Sequence, residues 1–261
     1  SGVLAVVDLS NNPLEIYAFH EGINAKFIDY LWPDGHYDLL PPRVVDFQTD
    51  DQYAKWNIQI FDEWFTDGRG ATSIRFFENI IKELLGGSSN TEGVGIGDLT
   101  LLTIQTDGEI QDSDVFSIAY ENAARFGNGF YLGQFGFTEL QKQQAFIEKA
   151  KLYKKESLCQ QCQQCRWTKV CGGGLLPHRY GKKHGYNAPS IYCKNMMSLL
   201  DHIAEKIHIE LENVIPKDVT KEQISKLKTN KFNVMNNIQE FIKDWDIQIN
   251  YGIKTGYNEA F

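Results

Sequence analysis

The sequence predicts an α/β protein that carries a metal-binding segment in its C-terminal half. In the N-terminal third, short apolar segments rich in β-branched residues alternate with segments whose apolar residues recur at helical spacing. This order of strands and helices is typical of a parallel sheet. The second observation is that all 5 cysteines lie within residues 159–193. Such a concentration of thiols predicts a set of metal ligands.

The elements of the α/β part follow one another closely. The first predicted strand, residues 2–8, is nearly all apolar, and we expect it to be buried on both faces. Asn12 and Pro13 predict the start of a helix, because proline is tolerated in a first turn. The remaining expected elements are a strand that ends before Pro33, a helix over residues 51–65, a strand over 71–76 and a helix over 78–85.

The cysteine spacing is C-x2-C-x2-C-x5-C-x21-C, and the three glycines that follow Cys171 supply the backbone freedom for tight turns. A disulfide framework fits poorly, because the count is odd and no secretory signal precedes the cysteines. Structural zinc and an iron–sulfur cluster both remain open. A zinc ribbon normally pairs two C-x2-C knuckles, so the single Cys193 in the distal half favours a cluster.

The run from Cys162 to Cys193 resembles the auxiliary-cluster segment of a SPASM domain, the C-terminal extension of radical S-adenosylmethionine (SAM) enzymes that modify peptides. C-x2-C-x5-C-GGG, HRY and N-x-PS-x-YC carry the resemblance, and the maturases with CGGG and HRY are the nearest group. The resemblance implies one auxiliary [4Fe–4S] cluster held by Cys162, Cys165, Cys171 and Cys193. Cys159 would be a spare ligand, an alternative ligand or a bystander.

Two departures from the full SPASM pattern predict a single auxiliary cluster. Leu175 stands where the pattern has a further cysteine. The strand–turn of residues 104–110, which the pattern follows with a cysteine, is here followed by Asp112, Ser113 and Asp114. We expect the two aspartates to be solvated on a polar turn.

Three residues just beyond the glycines are candidates for the surroundings of the cluster. Arg179 could offset the negative charge of a thiolate-ligated centre, and His178 could donate a hydrogen bond to a sulfur. His178 and Tyr180 could equally pack the loop onto the barrel.

The N-terminal phrases GVLAVVD, IDYLWPDG and IRFFENIIKELLG look like the second half of a radical SAM partial (β/α) barrel. The C-x3-C-x2-C loop that binds the SAM-cleaving cluster in that family has no counterpart outside residues 159–193. We therefore expect this chain to be inactive alone, as a fragment, a split subunit or a decayed gene product. SAM and a second [4Fe–4S] cluster would require the missing half, and the catalytic residues stay unassigned.

The predicted segments are a half-barrel (1–97), a SPASM-like cluster domain (98–213) and a helical C-terminal extension (214–261). The expected partners are a ribosomal precursor peptide and either an N-terminal radical SAM half or a second copy of the chain. The alternative function is a non-catalytic zinc or iron–sulfur scaffold that binds a partner polypeptide.

Composition excludes several other classes. The net charge of −8 argues against nucleic-acid binding, and no apolar run reaches membrane-spanning length. Thiols without a signal peptide predict a cytoplasmic location. The glycine-rich stretch at residues 93–98 precedes a strand instead of following one, so it does not predict a dinucleotide loop.

Overall fold

The structure is a computed structural model that describes residues 1–44, 46–47, 49–68, 72–99, 101–133 and 136–214. The chain forms two compact units. The first comprises residues 1–30, 51–91 and the chain from Met197, and the second comprises residues 31–50 and 92–196. The segment bounds predicted from the sequence stay a prediction, and the helices expected beyond residue 214 lie outside the described residues.

The first unit confirms the predicted alternation of strands and helices. Asn12 caps the first helix, because its side-chain oxygen accepts a hydrogen bond from the backbone N–H of Leu14 at 3.0 Å. The strand expected over residues 71–76 is shorter than predicted, because helical backbone begins at Arg75. The elements are β1 (Gly2–Val6), α1 (Pro13–Gly22), β2 (Phe27–Leu31), α2 (Gln52–Glu63), β3 (Ser73–Ile74) and α3 (Arg75–Leu84).

These three strands form one sheet in the order β1-β2-β3, and β2 pairs with β3 in parallel as predicted. One face of the sheet is covered by helices. Ile28 and Ile74 are buried on it, and the ring of Tyr30 lies 5.3 Å from that of Trp56 on α2.

The other face of the sheet is uncovered by the described residues. A Cβ at Gly2 would lie 3.6 Å from the Cβ of Phe27, and the alternation of side chains puts Leu4 and Val6 on the same face. Leu4, Val6 and Phe27 are 67%, 63% and 67% exposed. The expected burial of the first strand on both faces is therefore wrong, because β1 is an edge strand whose outer face packs on nothing described. We call Leu4, Val6 and Phe27 the apolar sheet face.

The second unit holds an antiparallel sheet and several short helices. Its sheet has the order β4-β5-β6, and Ile110, Phe126 and Leu140 form the core beneath it. The strand–turn predicted around residues 104–110 is confirmed as the hairpin of the first two strands. The elements are β4 (Thr103–Ile104), β5 (Glu109–Gln111), β6 (Arg125–Tyr131), α4 (Phe137–Leu140), α5 (Gln144–Lys151), α6 (Gln160–Gln163) and α7 (Thr168–Cys171).

A long helix, α8 (Cys193–Val214), begins in the second unit and continues in the first. The apolar residues along one face of this helix are buried at Met196, Leu199, Leu200, Ile203 and Ile207, while the side chain of Leu211 lies outside the described part. Of the helices in the described ranges, none has the length and apolar content needed to cross a membrane.

Candidate metal-binding thiol centre

Four of the five cysteines lie in or at an end of the helices α6, α7 and α8, and Cys165 lies between α6 and α7. Cys159 is the N-cap of α6, Cys162 lies within it, Cys171 ends α7 and Cys193 begins α8. The hydroxyl of Thr168 donates to the carbonyl oxygen of Cys165 at 2.6 Å and also to that of Cys162, which ties the end of α6 to the start of α7. All five are thiols. Residues far apart in the C-x21-C spacing are thus brought to one region of the second unit.

The thiols act on one another electrostatically. Burial, followed by the charges of Cys193 and Cys165, raises the pKa of Cys171 to about 12. Burial likewise raises the pKa of Cys193 to about 11, with Cys165 and Cys159 acting in the same direction. For the pKa of Cys162, burial again acts first and raises it, followed by Cys159. Several buried thiols can be deprotonated together only if positive charge lies beside them. A bound metal supplies that positive charge and displaces the thiol protons.

The glycine run after Cys171 permits a close backbone approach. Gly172 has a φ of 61°, and a Cβ there would overlap the carbonyl oxygen of Gly95. Gly173 and Gly174 have φ angles of 87° and 71°, and the N–H of Gly174 donates to the carbonyl oxygen of Cys171 at 2.9 Å. The backbone N–H groups of both glycines act to lower the pKa of the Cys171 thiol. Successive N–H groups of this kind form a concave site for an anion. The local backbone is therefore shaped to hold a thiolate.

Arg179 is a buried cation in this region. Its side chain is 2% exposed, and its guanidinium donates to the carbonyl oxygens of Tyr186 at 2.9 Å and Ser157 at 3.1 Å. Among the residues that the structure describes, no carboxylate lies within ion-pair distance of it. Burial lowers the pKa of Arg179, while the charges of Cys162 and other thiols oppose that shift. A buried guanidinium needs an anion nearby, and an anionic thiolate-ligated cluster meets that need.

His178 and Tyr180 lie on either side of Arg179 and have other neighbours. The ring of His178 packs edge-to-face on Tyr192 at 5.0 Å, and burial lowers its pKa to about 4, so the ring is neutral. Its Nε2 has no hydrogen-bond partner among the described residues. Tyr180 packs against the rings of Tyr120 and Tyr186. A hydrogen bond from His178 to a sulfur therefore stays a prediction, whereas the packing of both rings is observed.

Tyr37 also lies at this centre, although the sequence did not single it out. Burial raises its pKa to about 12, followed by the charges of Cys193, Cys159 and Cys162. Its hydroxyl donates to the carbonyl oxygen of Pro189 at 3.0 Å. Tyr37 stands in the loop after β2, far from the cysteines in sequence, and no local pattern marks it.

Ser113 and Leu175 lie where a full SPASM pattern has further cysteines, and both make ordinary structural contacts. The hydroxyl of Ser113 donates to Glu92 at 3.2 Å, and Leu175 packs against Gly93. Asp114 is exposed, as expected, but the expectation that Asp112 is solvated is wrong.

Asp112 is 1% exposed because groups from α5 and the following turn reach it. Tyr153 donates to its carboxylate at 2.9 Å, and the ammonium of Lys149 lies 3.9 Å from it. This ion pair and its aromatic neighbours form a structural core beside the hairpin.

Within the described residues, no three Cys, His, Asp or Glu side chains are arranged to hold a single metal ion. What the residues do provide is a set of five interacting thiols, two backbone N–H groups that favour the thiolate form of Cys171, and a buried arginine. This donor set fits an anionic, sulfur-ligated cluster.

No protein-family model matches the chain. It is homologous to the cysteine-type anaerobic sulfatase-maturating enzymes of two Clostridium perfringens strains, strain 13 and strain ATCC 13124, each 24% identical over 191 residues. These alignments cover 72% of this chain and 49% of each relative, so the chain spans about half the length of the curated relatives it matches.

Solved structures show the same fold. The structure of native anSMEcpe with bound AdoMet and Kp18Cys peptide has a TM-score of 0.64 and 20% identity, and the match covers 82% of this chain and 58% of that one. Native anSMEcpe with bound AdoMet gives a TM-score of 0.63 at 22% identity, over 82% of this chain and 57% of that one. The predicted α/β class and the resemblance to maturating enzymes are confirmed at this level.

Proposed function

We propose that this chain is part of a radical SAM enzyme that modifies a ribosomal precursor peptide, and that it holds an auxiliary [4Fe–4S] cluster on Cys162, Cys165, Cys171 and Cys193. The observation that carries the proposal is Arg179, a buried cation on which the charges of three thiols act and which has no carboxylate partner in the described ranges. The homology to a maturating enzyme and the fold shared with an AdoMet-bound structure support it.

When bound, the cluster would supply an electron-transfer centre or a fixed anionic wall beside the substrate. The chain's own residues prepare the place for it. Arg179 offsets negative charge, and the backbone N–H groups of Gly173 and Gly174 favour the thiolate form of Cys171. Tyr37 lies beside the thiols and keeps its hydroxyl bonded to Pro189. Hydrogen bonds and positive charge near the sulfurs raise a cluster's reduction potential.

The SAM-cleaving part of the reaction belongs to polypeptide outside these 261 residues. The chain spans about half of its maturating relatives, and its apolar sheet face and the free edge of β1 are suited to receive a further parallel strand. We propose a polypeptide that carries the other half of the barrel as the partner of this edge, with a second copy of this chain as the alternative.

The solved structures support a peptide as the substrate class. One structure of native anSMEcpe contains the Kp18Cys peptide and another contains the Cp18Cys peptide, and we propose that the complete enzyme likewise acts on a peptide.

Formation of 5′-deoxyadenosine tests the proposed function. The purified chain is incubated anaerobically with SAM and dithionite, with and without a polypeptide that carries a C-x3-C-x2-C half-barrel. We expect no 5′-deoxyadenosine from the chain alone and its formation when the half-barrel is supplied. A variant in which Leu4 and Val6 are both Gln serves as the control that weakens association without touching the thiols. Turnover by the homogeneous chain alone would show that it is not a fragment of the catalytic unit.

A further inference from the structure

The sequence offers two equal C-x2-C pairs, Cys159 with Cys162 and Cys162 with Cys165, and the structure treats them differently. Burial, and after it the neighbouring thiol of Cys159, raises the pKa of Cys162. Both residues are 8% exposed and pack together with Leu158 in one small cluster. The interaction with Cys159 is the strongest that Cys162 makes with another thiol.

Cys165 interacts with other residues of the thiol centre. Its charge acts on Cys171 and on Cys193, and its sulfur accepts a hydrogen bond from the backbone N–H of Trp167 at 3.4 Å. The pair of thiols already in contact is therefore Cys159 and Cys162.

The backbone of this pair suits a disulfide. The N–H of Gln163 donates to the carbonyl oxygen of Cys159 at 3.0 Å, so the two cysteines are spaced within one helical turn. Residues three apart in such a turn have Cα atoms about 5–6 Å apart, which lies within the range that a disulfide spans.

We propose that Cys159 and Cys162 form a redox-active dithiol, which a low-molecular-weight disulfide oxidises to an intramolecular disulfide when no cluster is bound. The thiolate of one cysteine attacks a sulfur of the small disulfide, forms a mixed disulfide and releases one small thiol. The second cysteine attacks the protein sulfur of the mixed disulfide and releases the other small thiol. The two protein thiols lose two electrons and two protons, and the two small thiols carry both away.

The disulfide withdraws Cys162 from the four ligands named above, and this consequence rests on the proposed function. Cys159 then has a role that the four-ligand cluster leaves open: it holds a ligand thiol in a reversible form and protects it from irreversible oxidation. A dithiol reductant restores the ligand set.

The test uses the full chain, purified without cluster and titrated with glutathione disulfide. Differential alkylation and mass spectrometry then locate the disulfide in the tryptic peptide of residues 156–166, which contains all three candidate cysteines. We expect a bond between Cys159 and Cys162 in the unmutated chain. The Cys165→Ser variant should form it equally well, whereas in Cys159→Ser the disulfide yield within this peptide should fall about tenfold or more. Equal yields in the two variants, or a bond between Cys162 and Cys165, would overturn the proposal.

A second readout separates this inference from the proposed function. The oxidised chain is offered iron and sulfide before and after treatment with a dithiol reductant. We expect iron uptake only after reduction, and uptake by Cys159→Ser whether or not glutathione disulfide was present. If the disulfide forms but does not affect iron uptake, Cys162 is not a ligand, and the cluster assignment fails while the dithiol stands.

Discussion

The apolar sheet face of the first unit and the thiol centre of the second unit differ in what they leave uncompensated: apolar side chains in the first and a buried charge in the second. On the sheet, apolar side chains that normally face a core are exposed to water. At the thiol centre, burial raises the pKa values of the thiols and lowers that of Arg179, which has no carboxylate within ion-pair distance among the described residues. The first region exposes apolar surface, and the second buries a cation that the proposed anionic cluster would compensate.

Because one region is exposed and the other is buried, we expect them to tolerate different substitutions. An exposed side chain contributes little to the stability of the isolated chain. Substitutions in the apolar sheet face should therefore leave the free energy of unfolding nearly unchanged and weaken only the association with a partner. Substitution of a buried charge or of a residue in a strained turn should destabilise the chain whether or not a partner is bound, because the surrounding groups cannot reach water. The predictions below compare matched residues in these two settings.

The largest effect is expected from the ligand cysteines. Cys171→Ser should abolish metal binding and loosen residues 159–193, because ligation is coupled to folding. Cys159→Ser should leave the metal content nearly intact, since four cysteines remain. Iron and labile sulfide analysis after anaerobic reconstitution measures both. Equal loss in the two variants would mean that Cys159 is itself an obligatory ligand.

Gly172→Ala comes next. A side chain at a φ of 61° costs about 1 kcal/mol, and its Cβ would also overlap the carbonyl of Gly95, so we expect a total cost of about 3 kcal/mol. Gly185→Ala is the control, because its φ is 60° but no atom lies within 4 Å of the added carbon. Denaturant unfolding of the two variants gives the difference. Equal destabilisation would show that the approach of Gly95 does not matter.

Arg179→Met should lower the free energy of unfolding by about 2 kcal/mol, because two buried carbonyl oxygens lose their donor. It should also reduce the iron occupancy after reconstitution. Lys55→Met is the comparison at an exposed ion pair of the first unit, where the Lys55 side chain is 68% exposed and pairs with Asp51, and its cost should be less than about 1 kcal/mol. An unchanged iron content in Arg179→Met would remove the argument that this cation compensates a cluster.

The smallest effect on stability is expected for Leu4→Gln, which should change the free energy of unfolding of the isolated chain by less than about 0.5 kcal/mol. Ile28→Ala, on the helix-covered face of the same sheet, should cost about 3 kcal/mol. Association is measured separately by sedimentation. If Leu4→Gln destabilises the monomer as strongly as Ile28→Ala, the sheet face is covered in the free chain.

Local patterns were predictable from the sequence, and long-range contacts were not. The start of α1 follows from Asn12 and Pro13, and the hairpin follows from its strand–turn pattern, because both depend on neighbouring residues. The burial of Asp112 depends on Lys149, which arrives from a helix later in the chain. The exposure of Leu4 depends on which strand pairs with β1 and which elements cover it.

The candidate site shows the same division. Cysteine spacing identified the thiols and their glycine turn, and the HRY run drew attention to Arg179. The proximity of Tyr37 to the thiols could not be predicted, since it comes from a loop in a distant part of the chain. Nor could the spacing distinguish the two C-x2-C pairs, since their separation is identical and a backbone turn spans each of them. They differ because Cys159 and Cys162 are buried in one cluster with Leu158.

The decisive experiment is anaerobic reconstitution of the unmutated chain, followed by iron, sulfide and zinc analysis and a visible spectrum. It asks whether the thiol centre binds one iron–sulfur cluster. A single auxiliary cluster predicts about four irons and about four sulfides per chain and a broad brown absorbance. One tightly held zinc with no labile sulfide and no colour would contradict the account, because zinc is colourless, and would identify the thiol centre as a structural zinc site of a binding scaffold.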